Sequence, residues 1–165
     1  SDKYEDKRGY FRELNKKSLF NNAKINYNFV QDNYSVSNYG VIRGLHMQKP
    51  PYSQAKLVHV LNGEILDIAV DMRKSSPTFK EYAKINLKSS EGNSLFIPEG
   101  FAHGFCSLRD NTIVMYKNSK EYNKESELGL IWNDPDIGIN WPIEDPIISS
   151  KDKSFPNLNS FLESL

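Results

Sequence analysis

The chain has 165 residues with 21 basic and 21 acidic side chains, a formal net charge of zero, three His, one Cys, 38% hydrophobic and 12% aromatic residues, which predicts one globular domain over residues 1–165. Balanced charge without a Lys/Arg-dense stretch excludes a nucleic-acid reader, because affinity for a phosphate backbone needs a concentrated positive face. No apolar run approaches the roughly 20 residues that span a bilayer, SDKYEDKRGYF is too charged for a secretory leader, and a lone Cys106 forms neither an internal disulfide nor a thiolate zinc site; a soluble protein of a reducing cytoplasm, with no membrane partner, is expected.

Nine Gly and eight Pro punctuate the chain and leave segments too short for ordinary long helices. In chain order, strands are predicted at Asn28 to Gln31, Gly40 to Arg43 and Leu57 to Val60. Asn62-Gly63 follows, the dipeptide preferred by a tight type I′ hairpin, and it leads into Ile65 to Asp71. There Leu66, Ile68 and Val70 fall on one face and Asp67, Ala69 and Asp71 on the other. Ala83 to Lys88 repeats the alternation with its lysines outward, and Ser94 to Ile97, Gly104 to Leu108, Thr112 to Lys117 and Leu128 to Trp132 complete the set. Strands about ten to fifteen residues apart, without helical crossovers, predict an antiparallel sandwich or small barrel. The segment from Ser149 to Leu165, with Ser149 and Ser150 as caps and Pro156 as a breaker, predicts one or two short helical turns.

Chemistry can reside in few places. His46 ends Gly40-Val41-Ile42-Arg43-Gly44-Leu45-His46, and His103 lies in Gly100-Phe101-Ala102-His103-Gly104. Gly beside a polar strand residue marks close approach of a ligand or backbone, or a bulge, so each His reads either as functional or as a buried structural donor. A metal site of the kind small β-barrels hold usually takes a closely spaced His pair on one strand plus a carboxylate, and no His-x-His occurs; no metal is expected. Arg8, Arg43, Lys56, Tyr116-Lys117 and Lys151-Asp152 could instead supply cationic anion binders, a base and an acid to one cavity.

Arg8, Arg43 and Lys56 fall within longer stretches. Arg8-Gly9-Tyr10-Phe11-Arg12-Glu13, Phe29 to Asn33, Gly40 to Gln48, Gln54 to Val58, Val70 to Phe79, Ile97 to Phe105 and Trp132-Asn133-Asp134-Pro135 together resemble the dTDP-4-dehydrorhamnose 3,5-epimerase family, in order from Arg8 to Asp152. The resemblance implies an all-β jelly-roll cupin fold, a homodimer, and catalysis with neither metal nor organic cofactor. It implies as substrate a nucleotide-diphosphate-linked 4-keto-6-deoxy sugar. The 4-keto group acidifies the hydrogens on C3 and C5, and each inversion passes through an enolate.

On the same basis His46 would be the base, its ordinary pKa near 6.5 suiting it to work close to neutral pH. Asp152 would fix its tautomer and stabilise the imidazolium. Lys56 would face the C4 oxygen and stabilise the enolate, while Tyr116 would deliver a proton on the opposite face. Arg8 and Arg43 would bind the diphosphate through their planar forks. Glu13 and Gln31 would serve the nucleotide side, Phe11 and Tyr122 would sandwich the base, and His103 would line the cavity. Read without the resemblance, Asp152 is a helix-capping carboxylate, Tyr116 a strand aromatic and Lys56 a solvated charge.

Val36 stands where a basic residue is usual in the family, His59 where Arg is frequent, and Met47 where an aromatic is common. Seven residues precede Arg8, against about fifteen in family members. These departures leave the sugar nucleotide open but touch none of the proton-transfer residues; whether C3, C5 or both invert stays open because the resemblance extends to single and double epimerases that share these groups. Lys outnumbers Arg 16 to 5 and Asn reaches 17, a bias of AT-rich bacterial genomes, which makes a GDP-linked 4-keto heptose of capsule or lipopolysaccharide synthesis the second substrate considered. A non-catalytic cupin that binds a nucleotide sugar is the alternative outside enzymes.

Overall fold

A computed structural model describes residues 2–165. Two short strands, β1 (Lys3–Asp6) and β2 (Gly9–Arg12), form a separate hairpin, followed by α1 (Lys17–Asn22). The remaining strands are β3 (Gln31–Ser37), β4 (Ile42–Gln48), β5 (Lys56–Asn62), β6 (Glu64–Asp71), β7 (Tyr82–Lys88), β8 (Ser94–Ile97), β9 (Phe101–Ser107), β10 (Thr112–Asn118) and β11 (Glu127–Gly129). A four-stranded sheet, ordered β3-β10-β5-β8, packs on a five-stranded sheet, ordered β11-β4-β9-β6-β7. Every pairing between these strands is antiparallel, in the two-sheet arrangement of a jelly roll.

Two apolar clusters hold this together. Val58, Val60, Ile65, Ala69, Phe105 and Val114 meet between the sheets. Ile42, Leu45, Leu66, Ile68 and Val70 form the other cluster, on the far face of the five-stranded sheet, where they are covered by Leu130, Ile137 and the last helix, α3 (Leu158–Ser164), through Leu158 and Phe161. The predicted alternation of β6 is therefore real, but both of its faces are buried: Asp67 and Asp71 are 0% and 1% exposed. Asp71 is held by Arg73, Ser76 and Thr78, and Asp67 points between the sheets.

The hairpin expected at Asn62-Gly63 does not form. β5 pairs with β10 and β8, and β6 with β7 and β9, so the dipeptide turns the chain from one sheet to the other. Only Gly63 has positive φ, at +82°, whereas a type I′ turn needs both central residues there. The close approach of Thr112 demands a glycine at this corner, because any Cβ on Gly63 would strike it.

The first strand of the sandwich begins at Gln31 rather than Asn28. Its inward residues Gln31, Asn33 and Ser35 are polar while Tyr34 and Val36 face out, which inverts the usual pattern. At the C-terminus, α2 (Ser150–Lys153) is capped by Ser149 and α3 by Asn157, in line with the helical turns predicted there. Asp134 is structural: its carboxylate accepts from Asp136 N–H at 2.9 Å and Leu158 N–H at 2.7 Å, pinning a turn to the start of α3. Among the described residues no helix is long and apolar enough to cross a membrane.

Candidate active site

A bulge aims the site. Arg43 and His46 are three residues apart, so on a regular strand they would point to opposite faces. The β4–β9 register shifts between them, with Gly44 at φ +134° in the extra position, and both side chains then face the space between the sheets while Ile42, Leu45 and Met47 pack outward. Gly44 lies against Gly104, where added Cβ atoms would collide with the opposing backbone. The two glycines flanking these motifs thus mark both a bulge and a close backbone approach.

The resulting cavity measures about 520 Å³ and is lined by Arg43, His46, Lys56, His103, Tyr116 and Asp152, among others. An adjoining space of about 370 Å³ shares His46, Lys56 and Tyr116 and adds Gln31, Tyr122 and Glu127. Eight of the eleven sequence-predicted site residues therefore line one continuous region.

His46 Nε2 lies 2.9 Å from Asp152 Oδ1, and Asp152 Oδ2 accepts the Gly44 N–H at 3.0 Å. The helix cap is Ser149, whose Oγ accepts the Asp152 N–H, so the carboxylate itself is left for His46. Burial works against ionisation of Asp152, but the bonds from His46 and the Gly44 amide prevail and hold its pKa below the ordinary value. With Nε2–H donating to that carboxylate, Nδ1 carries the basic lone pair of His46.

The opposite sheet supplies Lys56 and Tyr116. Lys56 on β5 is buried and donates to the His46 carbonyl at 3.2 Å; burial depresses its pKa to about 8, against the opposing pull of Asp67 and Glu127. Tyr116 on β10 has its pKa raised, chiefly by burial, with Arg43 acting against the rise. Arg43 is oriented by bonds to Ser37 Oγ and the Val36 carbonyl, both 3.1 Å. The arrangement can take a proton on one wall, stabilise an oxyanion, and exchange a proton at a phenol on the other.

Beside His46 in the β4–β9 register stands His103, whose Nε2 is 2.6 Å from Asp67 Oδ1. Burial lowers the His103 pKa, and Asp67 only partly offsets it. Glu127 links Tyr122, at 3.0 Å, with Lys151, at 2.6 Å, at the cavity edge, and Gln31 Oε1 accepts the Tyr122 N–H at 2.7 Å. Sequence reasoning passed over Asp67 and Glu127. Asp67 sat on what looked like a solvent-facing strand edge, and Glu127 preceded a predicted strand with no motif to mark it.

Arg8, Phe11 and Glu13 are not brought to this cavity within the chain. Arg8 projects from the β1–β2 turn and pairs with Asp6 at 2.6 Å, Phe11 is 66% exposed, and Glu13 pairs with Lys16 at 3.2 Å. His59 also lies elsewhere: it is buried on the outer side of the four-stranded sheet, with Nδ1 2.7 Å from Ser94 Oγ.

Comparison with known proteins shows the family. A family model described as dTDP-4-dehydrorhamnose 3,5-epimerase matches residues 1–160. A dTDP-4-dehydrorhamnose 3,5-epimerase of Shigella flexneri is 48% identical over 150 residues, covering 89% of this chain and 82% of the relative. Among solved structures, the Bacillus anthracis enzyme of that name, with TDP and pyrophosphate bound, superposes with a TM-score of 0.92 at 44% identity, over 95% of this chain and 90% of that one. The Legionella pneumophila dTDP-6-deoxy-D-glucose-3,5-epimerase, in complex with dTDP-4-keto-L-rhamnose, gives 0.91 at 41% identity, over 96% and 85%. With a jelly-roll cupin fold and a sequence that matches the family model over residues 1–160, the chain belongs to the dTDP-4-dehydrorhamnose 3,5-epimerase family and is an isomerase of the carbohydrate-epimerase class.

Proposed function

We propose that the cavity inverts C3 and C5 of a dTDP-linked 4-keto-6-deoxy sugar, with His46 as base, Asp152 as its partner, Lys56 opposite the C4 oxygen and Tyr116 as proton donor. The observation that carries this reading is the placement of a carboxylate-bound imidazole on β4, in one sheet, and a phenol on β10, in the other. Inversion requires a proton to leave one face of a carbon and another to arrive on the opposite face, so base and donor must stand on opposite walls. His46 Nδ1 removes the proton, and the electron pair moves into the carbonyl to form the enolate. Lys56, charged below about pH 8, stabilises the oxyanion in a dry setting where such assistance is strongest. Tyr116 then protonates the carbon, and the enolate returns to the ketone.

Arg43 and His103 contact the diphosphate and sugar, and Gln31 and Tyr122 the nucleoside. The thymidine nucleotide is preferred to GDP because the Bacillus and Legionella structures hold thymidine nucleotides. A homodimer accounts for Arg8, Phe11 and Glu13. An isolated two-stranded hairpin is marginal in water, and this one exposes Tyr4, Tyr10 and Phe11 by 56%, 56% and 66%. Seated on a second copy, it would cover those rings and deliver Arg8, Phe11 and Glu13 to the second copy's cavity. A cytoplasmic location fits a nucleotide-sugar substrate.

Incubation with dTDP-4-keto-6-deoxyglucose in D₂O tests the reaction, with deuterium at C3 and C5 read by NMR. Incorporation at both carbons is expected, incorporation at C3 alone would restrict the reaction to one centre, and none with dTDP- or GDP-linked 4-keto sugars would remove the epimerase reading. For the dimer, Arg8→Glu and His46→Asn chains, each impaired alone, are expected to recover activity when co-assembled. Failure to do so in a confirmed mixed dimer would return Arg8 to a structural role.

A further inference from the structure

The segment at residues 147–155 brings a second group to His46. Gly129 on β11 pairs directly with His46 on β4, and the Phe155 ring lies over Gly129 so closely that a Cβ there would overlap three ring atoms. The same ring meets the His46 imidazole at 5.2 Å between centroids with an interplanar angle of 89°. Among the described residues Phe155 belongs to neither apolar cluster, unlike nearby Leu158 and Phe161. Its half-buried ring is directed at His46 and Gly129 rather than at the core.

The two contacts constrain different motions of one imidazole. Bonding to Asp152 selects which edge of the ring faces the carboxylate, yet a single hydrogen bond tolerates rocking of the ring plane. A perpendicular aromatic packed against the ring resists that rocking. Both constraints come from one short turn. Ser149 caps α2 at Asp152, Ser154 Oγ donates to the Lys151 carbonyl at 2.7 Å, and the Ile131 N–H donates to the Pro156 carbonyl at 2.9 Å, which pins the chain on either side of Phe155.

We propose that Phe155, seated on Gly129, is a positioning residue that fixes the plane of the His46 imidazole so that Nδ1 stays aimed into the cavity; the inference rests on the assignment of His46 as base. Glycine at 129 is then required because it leaves room for the ring, not for its backbone freedom, since a side chain there would displace Phe155. Small misplacements of a reacting group can lower a rate by about 10²-fold.

Three variants test this. Phe155→Leu keeps apolar bulk but removes the flat ring, Gly129→Ala displaces the ring without altering it, and Phe155→Tyr keeps it. Measured quantities are kcat and KM for C3/C5 exchange with dTDP-4-keto-6-deoxyglucose, Kd for dTDP, and the ¹⁵N NMR signals of the His46 imidazole. Phe155→Leu and Gly129→Ala are expected to lower kcat by about 10- to 100-fold, with dTDP affinity unchanged and the His46 nitrogens moved from a single Nε2–H form toward a tautomer average, while Phe155→Tyr retains both properties. A wild-type kcat with unaltered His46 signals in Phe155→Leu would overturn the proposal, as would a raised KM at constant kcat. Should Gly129→Ala fail to fold, Phe155→Leu decides alone, because its ring lies outside both core clusters. Should the wild type exchange no 4-keto sugar, the base assignment fails separately, and the imidazole signals still decide: unaltered in Phe155→Leu they refute the positioning role, and shifted they support it.

Discussion

Two histidine–carboxylate pairs stand side by side in this cavity and differ in what surrounds them. His46–Asp152 and His103–Asp67 close at 2.9 and 2.6 Å, and the histidines face each other across the β4–β9 ladder. The His46 side chain is 34% exposed and that of His103 8%. Asp152 uses both oxygens, toward His46 and the Gly44 amide, whereas Asp67 Oδ2 is buried with no partner among the described residues. A base needs access to substrate and a carboxylate secure in its charge, so that the imidazolium is stabilised when the proton arrives. The buried pair meets the cavity with much less of its imidazole exposed, and burial holds His103 toward its neutral form. Under the proposed mechanism, identical functional groups therefore serve different tasks, proton transfer at His46 and substrate orientation at His103.

Mutation of the two histidines is the most direct way to break this contrast. His46→Asn is expected to reduce deuterium exchange by about 10²- to 10⁴-fold, the range of general-base catalysis, with dTDP binding intact by calorimetry. His103→Asn should cost about tenfold, in line with the loss of one charge-assisted hydrogen bond. Equal losses in the two variants would dissolve the distinction.

Next in size is the opposite wall. Tyr116→Phe leaves His46 able to take a proton but removes the donor on the other face, so exchange at C3 and C5 should outlast net inversion. The two rates are read in one NMR time course in D₂O, and a parallel fall would place Tyr116 outside the reprotonation step.

Lys56 adds a pH dependence to the contrast. Burial holds its pKa at about 8, so the cation is present below that pH and lost above it, and kcat should fall on the alkaline side with an apparent pKa near 8. Stability has the opposite sign. Between about 8 and the ordinary value near 10.4 the unfolded chain binds the proton and the folded chain does not, so stability rises with pH across that window. In Lys56→Met the alkaline limb should disappear from whatever exchange remains. Its persistence there would assign it to another group.

How much of this was legible in the sequence follows from what each residue depends on. The strands from Ser94 to Asn118 could be read closely because their alternation is local. Asn62-Gly63 misled because a glycine with positive φ serves a corner between sheets as well as a hairpin, and the choice is made by Thr112, far along the chain. Arg43 and His46 were recognisable as chemistry, but only the bulge at Gly44 explains how residues three apart share one face. Asp67 was hidden because its polarity fits a solvated strand edge, and nothing local says that a second sheet covers it. Phe155 was hidden for the same reason: its partners, Gly129 and His46, come together only through the register of β11 on β4.

The third histidine provides a control with no expected effect on rate. His59 is bonded to Ser94 Oγ rather than to a carboxylate, its buried Nε2 has no partner among the described residues, and it lies outside the cavity. Burial, reinforced by Lys117 and only partly offset by Asp32, lowers its pKa from 6.5 to about 4. Because the unfolded chain takes up the proton first, stability is full above about pH 6.5 and is lost as the pH falls toward 4, on the order of 3 kcal/mol once titration is complete. Thermal melts of His59→Leu between pH 7 and 4.5 should show a shallower acid slope than wild type, with the remainder shared by His103, whose pKa burial also lowers, and, toward pH 4.5, by carboxylates such as Glu127 and Asp152 whose pKa the fold lowers, and kcat at neutral pH should be unchanged. An acid slope equal to wild type would mean that His59 takes up its proton as readily in the folded chain as in the unfolded one, so that depth of burial alone would not set the charge of a histidine in this fold.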